Sequence, residues 1–582
     1  MSQHLSKVEA DRKLLRDAHA QGTGATLSAF VRLSGPGWLQ SAITLGGGSL
    51  AGALFLGVLG GTSLLWLQLM AITMGVIMLS AISYVTLSTG EKPFQAINSH
   101  INPALGWGWL IATCMANMIW CMPQFGLVYA ALRENLVGES IGDTTSAKLS
   151  VSAVILAAAG VVVLLNQRRG LGAKIFDILL KALVGMIVIC FFGVVVYLGV
   201  NGHLNWGNIF GGFVPDPKQW NAPTGDLAAL VSSLPASLQE FWGGKIVKEQ
   251  RAIMIASAAT AVGINMTFLL PYSMLNRGWD KPFRGLARFD LSTGMAIPYV
   301  LVTSCVVIAS AASFHATIDE PFRSNDPAVM QTSEFFEGAK PFLTARVEHE
   351  YGADSFASLT EDEQLAKMAA LPEAEKRIAS SLVRRNAFQL SKALAPLLGE
   401  RNANLVFGIG ICGMGFSTII ILMLINGYAF CEMFGKPQGG TPYVIGCLVS
   451  GLCGAAWPLI WDGPAKLWLA ILTSTFGMML LPIAYVTFFM MMNSTTLMGK
   501  EKPTGGKMLV WNILMSVSVL GAIVAASAAV WEKISPILDA DAKFNDVLIG
   551  WVVAGVAAGY LVIVVAGFIA MSKRSILLRT PD

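Results

Sequence analysis

Long apolar runs alternate with short polar loops along most of this chain. A helix needs roughly 20 mostly apolar residues to cross a bilayer. Twelve runs approach or exceed that length, at about 36–58, 63–86, 104–132, 147–165, 174–200, 252–275, 290–313, 403–432, 441–460, 466–493, 507–530 and 546–572. Stretches such as 151–165 are continuously apolar and lack the alternation of lipid-facing barrel strands, so the pattern predicts helices. The expected fold class is an all-α polytopic membrane protein.

Composition agrees. Only 13% of the 582 residues are charged and 54% are hydrophobic, where a soluble domain carries about 25% charged residues. The net charge of +4 is small, and its basic residues are scattered over loops, which excludes a nucleic-acid partner. The eight cysteines (Cys114, Cys121, Cys190, Cys305, Cys412, Cys431, Cys447 and Cys453) lie in or beside apolar runs without a CxxC pair, so they read as packing residues. The N-terminus has mixed charge and no signal-peptide pattern.

Basic residues in short loops set the expected orientation. Arg168, Arg169 and Lys174 lie between spans 4 and 5; Arg277, Lys281, Arg284 and Arg288 between spans 6 and 7; Lys500, Lys502 and Lys507 between spans 10 and 11; Lys573 and Arg574 after span 12. All share one side if both termini are cytoplasmic. The chain then divides into a cytoplasmic tail (1–32), a first repeat of spans 1–5 (33–200), an outward loop (201–251), spans 6 and 7 (252–313), a long polar outward insert (314–402), spans 8–10 completing a second repeat (403–493), and spans 11 and 12 with the C-terminal tail (494–582). The expected location is a bacterial inner membrane.

Two spans carry helix-breaking residues. Span 1 holds Gly46, Gly47 and Gly48 followed by Ser49, and three mid-membrane glycines cost about 1 kcal/mol each relative to alanine. Span 6 holds Asn265, Thr267, Pro271 and Tyr272, and Pro271 predicts a break near 267–270. The two spans occupy corresponding places in two five-span halves. Paired interrupted helices of this kind mark a midplane binding site in secondary transporters.

These residues resemble the Nramp family of proton-coupled divalent metal transporters. Gly35-Pro36-Gly37 with the broken stretch after it is similar to that family's first span; Leu64-Leu65-Trp66 and Ser88-Thr89-Gly90 to its second; 387–390, 395–399, Gly415-Phe416-Ser417-Thr418 and Glu432 to its eighth; and Leu481-Pro482 with Leu497-Met498-Gly499 to the end of its tenth. The similarity runs over roughly 33–570, apart from the two outward segments. It implies a LeuT-type inverted repeat of five plus five helices with two more, about twelve transmembrane helices. It also implies ion transport, of metal ions in particular, with no enzymatic activity and no cofactor. The family's Asp-Pro-Gly-Asn is matched here by Gly46, Gly47, Gly48 and Ser49, and its Met-Pro-His by Thr267, Phe268 and Leu269. Its third-span acids fall near Cys121 and Gln124, its eighth-span Gln on Phe416, and a tenth-span ligand near Leu480.

A dication leaving water needs anionic or well-placed oxygen ligands. Asp177, Asp290 and Glu134 lie near span ends, the helix interiors offer no clear acid, and none of the six histidines is mid-membrane. No metal-ligand set is therefore assigned from sequence. The expected substrate-binding residues are Gly46, Gly47, Gly48, Ser49, Asn265, Thr267 and Tyr272, with Cys121, Gln124 and Phe416 along the pathway. A second expectation is a small anion, carboxylate or amino-acid-like solute held by free amides at the half-helix after Gly46. A third is a receptor using the insert, which could also serve as a lid, a protein-docking surface or passive decoration. Lys181 is expected at the membrane interface or along an inner path.

Overall fold

The computed structural model describes residues 2–138, 140–167, 171–202, 204–385, 391, 399–461, 466–539 and 544–577. The stretches 387–390 and 395–398, with Arg168, Arg169 and His203, lie outside the described residues. Every regular element described is helical.

Among the described residues, nine helices are long and apolar enough to cross a membrane, or ten when a bent pair near the N-terminus counts as one span. Two shorter apolar helices, Val184–Val200 and Gly440–Ala455, fall on the expected spans 5 and 9. Each of the twelve apolar runs thus coincides with helix. Span 1 is two half-helices, 1a (Pro36–Thr44) and 1b (Gly47–Gly60), bent by 51°. Span 3 is Pro103–Ala130, span 7 centres on Ile297–Phe314, span 8 is Glu400–Met433 and span 10 is Lys466–Asn493. Span 12 (Phe544–Leu577) packs on span 11 (Gly505–Ile534), and none of its most apolar window is buried, as befits a helix that faces lipid.

Span 6 differs from expectation. It is broken earlier, at Val262 and Gly263, into 6a (Ala236–Ala261) and 6b (Ile264–Asn276). Both break residues have extended backbone. Pro271 lies inside 6b. A proline costs a membrane helix one backbone bond, which close packing tolerates, and Phe268 to Met274 are all buried. Half-helix 6a also begins within the expected outward loop, so much of 236–251 is helix rather than connection.

The polar insert is folded. Its helices include Phe336–Tyr351, Glu361–Ala369 and Glu373–Leu382, and the last packs against 1b, 6a and the helix Gly225–Ser232. Burying a charge is costly unless it is paired, and the buried Glu375 is paired. Glu375 accepts from Trp242 Nε1 of 6a at 2.8 Å and is ion-paired with Arg346, which also holds Glu350 at 2.8 Å. His315, just past span 7, joins three segments. Its Nδ1 lies 2.9 Å from the Val58 carbonyl of 1b, and its Nε2 accepts the Asp226 amide at 2.8 Å.

Candidate substrate site between two broken spans

The two breaks face each other across a cavity of about 40 Å³. Span 1 contributes Gly46, Gly48 and Ser49; span 3 contributes Trp120 and Gln124; span 6 contributes Thr260, Asn265 and Met266; span 8 contributes Thr418; span 10 contributes Thr473 and Ser474. The glycines of span 1 are there for space. Gly46 is extended, a conformation open to any residue. A Cβ on Gly46 would lie 2.5 Å from Thr418 Oγ1, one on Gly47 2.6 Å from Leu127, and one on Gly48 2.9 Å from Thr260. Spans 8, 3 and 6 therefore close on the first break only because side chains are missing from it.

The hydroxyls around the cavity have a consistent sense. A hydroxyl has one proton and two lone pairs. Thr418 donates to the Met414 carbonyl at 2.8 Å, Ser474 to Ala470 at 2.6 Å, Thr473 to Leu469 at 3.0 Å, and Ser49 to the Thr44 carbonyl. With their protons committed to backbone, these side chains can offer the cavity only lone pairs. The first amide of 1b, on Gly47, is itself taken by Gln124 Oε1 at 2.8 Å. Asn265 is 1% exposed, and neither of its amide atoms has a protein partner. The lining holds no charged side chain, and among the described residues no group of three or more His, Cys, Asp or Glu is placed to hold a metal ion.

The structure therefore brings Gly46, Gly48, Ser49, Gln124 and Asn265 together, with Gly47 joined through Gln124. It sets the other named residues apart. Thr267 accepts from Trp109 Nε1 at 2.9 Å and donates to the Ile264 carbonyl at 2.5 Å, within the packing of 6b. Tyr272 stacks on Phe268 with centroids 4.4 Å apart. Cys121 is buried beside Gly454, and Phe416 packs against the core without lining the cavity. The earlier break is the reason: it brings Asn265 and Met266, not Thr267, to the cavity. Sequence reading missed Met266, Trp120, Thr260, Thr418 and Ser474. The signal for Met266 was available, since matching the family's Met-Pro-His one residue earlier puts its methionine on Met266.

Asp290 also has a role that its place near a span end only hinted at. It is 1% exposed and accepts the Ser34 hydroxyl, the Gly35 amide at 3.1 Å and the Gly37 amide at 2.6 Å. A carboxylate thus satisfies the orphan amides at the N-terminus of 1a. Lys181 is exposed, with its ammonium 3.5 Å from the Ser34 carbonyl of the same region.

Comparison with protein families finds a match to the natural resistance-associated macrophage protein-like (Nramp) model over residues 37–331 and 369–532. The gap, 332–368, falls in the polar insert. No curated protein sequence matches. Among solved structures, the manganese transporter of Eremococcus coleocola in complex with an aromatic bis-isothiourea compound is similar in fold. Its TM-score is 0.62 at 14% identity, covering 94% of this chain and 96% of that one. A mutant of the same transporter gives a TM-score of 0.61 with the same identity and coverage. At this identity the likeness shows a shared fold.

Proposed function

The chain belongs to the Nramp family, and on that premise we propose that its metal-ion transport runs through the cavity between the two broken spans. Metal-ion secondary transport is the work of the family; the route and the holding groups are inferred from this chain's own residues. The observation that carries the reading is the direction of the hydroxyl protons. Ser49, Thr418, Thr473 and Ser474 all donate to backbone carbonyls, so oxygen lone pairs are left for the cavity. Lone pairs suit a cation, and hard cations take oxygen ligands. Met266 also lines the cavity, and its thioether, 3.5 Å from Thr44 Oγ1, is the soft ligand beside it, of the kind that favours softer metals. The anion reading loses one of its amide donors, because Gln124 already occupies the Gly47 amide.

The ion would meet Ser49 and Asn265 at the two breaks, with Gln124, Thr418 and Ser474 around them. Neutral ligands bind a dication less tightly than carboxylates do, so weak binding with fast release is expected. We further place the insert on the outer face and both termini in the cytoplasm, in keeping with the basic loops. Titration calorimetry of the purified protein with Mn²⁺ tests the reading, with a small carboxylate run alongside. Saturable Mn²⁺ heat without carboxylate binding is the expected result; carboxylate binding alone would overturn it.

A further inference from the structure

Trp120 stands apart from the other residues of the cavity. It is the one large aromatic side chain in the lining, and it belongs to span 3, which is not broken. Its indole N–H donates to the Thr473 carbonyl of span 10 at 2.8 Å. Its ring edge fills a notch made by two glycines. A Cβ built on Gly263 would come within 2.7 Å of the ring, and one on Gly477 likewise within 2.7 Å. Gly263 has extended backbone that any residue adopts, so the ring accounts for the glycine there. One end of the indole is therefore fixed to span 10 and its edge is keyed between span 6 and span 10, while the ring walls the cavity.

The size of the cavity then follows from this side chain. About 40 Å³ is room for about three waters. A hard dication carries about six to eight oxygen ligands in water, so it can enter only after losing much of that shell to the protein's own oxygens. Removing the indole would open space that the surrounding rigid helices do not collapse to fill. We propose that Trp120 is the size-determining residue of the transport site: keyed into the Gly263–Gly477 notch and tied to Thr473, its indole holds the cavity to a cation stripped of most of its water. This rests on the reading that the cavity is the transport site.

Ion size matters because metal–oxygen distances differ, about 2.0–2.1 Å for Mg²⁺ and about 2.3–2.6 Å for Ca²⁺. With the wall rigid, a longer ligand distance has nowhere to go. With the wall removed, larger ions and their retained waters fit.

The test is uptake into proteoliposomes of Mn²⁺, Ca²⁺ and Ba²⁺ beside Li⁺, Na⁺ and K⁺, by wild type, Trp120→Phe, Trp120→Ala and Gly477→Ala. All four are first shown to be monodisperse by size exclusion. Trp120→Ala is expected to raise the ratio of larger to smaller ion uptake at least tenfold within a charge class. Trp120→Phe keeps a ring and should stay within about threefold of the wild-type ratio. Gly477→Ala drives the indole out of its notch toward the cavity and should depress the larger ions first. An unchanged ratio in Trp120→Ala overturns the proposal while leaving the transport reading intact. Uptake of monovalent ions alone, with the ratio shifted as stated, overturns a divalent metal substrate while supporting the role of Trp120. Absence of uptake for every cation overturns both.

Discussion

At the scale of single residues, Ser49, Thr418 and Ser474 become acceptors by spending their protons on helix carbonyls. Asn265 is different, because its amide is buried and has no protein partner for either atom. A buried polar group without a partner costs about 1–3 kcal/mol, and a cation beside the amide oxygen would offset that cost. Hydrogen-bond-scale contacts to a charged group are worth about 1.5–3 kcal/mol. Asn265→Ala should therefore weaken Mn²⁺ binding roughly tenfold to a hundredfold by calorimetry, while Thr267→Ala, two residues on, should change it less than threefold. Equal effects at the two positions would place the ion elsewhere. The glycines 46–48 and Asn265 could be singled out from sequence because both are out of place in an apolar helix. Trp120 and Thr418 could not, since an aromatic or hydroxyl residue in a membrane helix ordinarily packs or back-bonds.

At the scale of elements, the two broken spans illustrate what a one-dimensional pattern can and cannot fix. Three adjacent glycines mark the first break directly. In span 6 the strongest breaker, Pro271, is a false marker, because 6b is packed on all sides and runs through it. The real break coincides with a single glycine whose function, making room for Trp120, exists only once span 3 is in place. The start of 6a within the polar 236–251 was equally hidden. Two of its aromatic residues meet the folded insert: Phe241 stacks on His349, and Trp242 is fully buried on Glu375 although it sits in a hydrophilic run. The N-terminus of 1a shows the converse. Asp290 lies 253 residues along the chain from Gly37, and only the folded structure brings its carboxylate onto that helix end. Apolar runs of sufficient length marked every membrane-length helix among the described residues; polar helices were legible only where their pattern was strong.

At the scale of the whole molecule, the insert is tied to the transport core through His315, which links span 7, half-helix 1b and the Asp226 segment. The Asp226 amide donates to Nε2, so that nitrogen is bare and the ring is neutral, with Nδ1–H toward the Val58 carbonyl. Burial pushes the His315 pKa below its ordinary value, opposed by the Val58 contact and by the Asp226 carboxylate, the charged group facing the ring. The undocked histidine would titrate near 6.5. The docked state thus binds fewer protons, and the His315 contribution to docking is complete above about pH 6.5 and fades as pH falls below it. Hydrogen exchange of the 225–232 and 336–382 helices should accelerate between about pH 7 and pH 5.5, after correction for intrinsic exchange rates. The pH step should vanish in His315→Gln. A step that persists in that variant would assign the effect to other groups.

The central claim is that this Nramp fold moves a metal ion through a cavity of neutral oxygen donors. The most direct measurement is Mn²⁺ uptake into proteoliposomes containing the purified protein. Saturable uptake in the wild type, reduced at least tenfold in Asn265→Ala and little changed in Thr267→Ala, is what the account predicts. Wild-type uptake that is indifferent to Asn265, or no Mn²⁺ movement from a folded, correctly inserted protein, would contradict it.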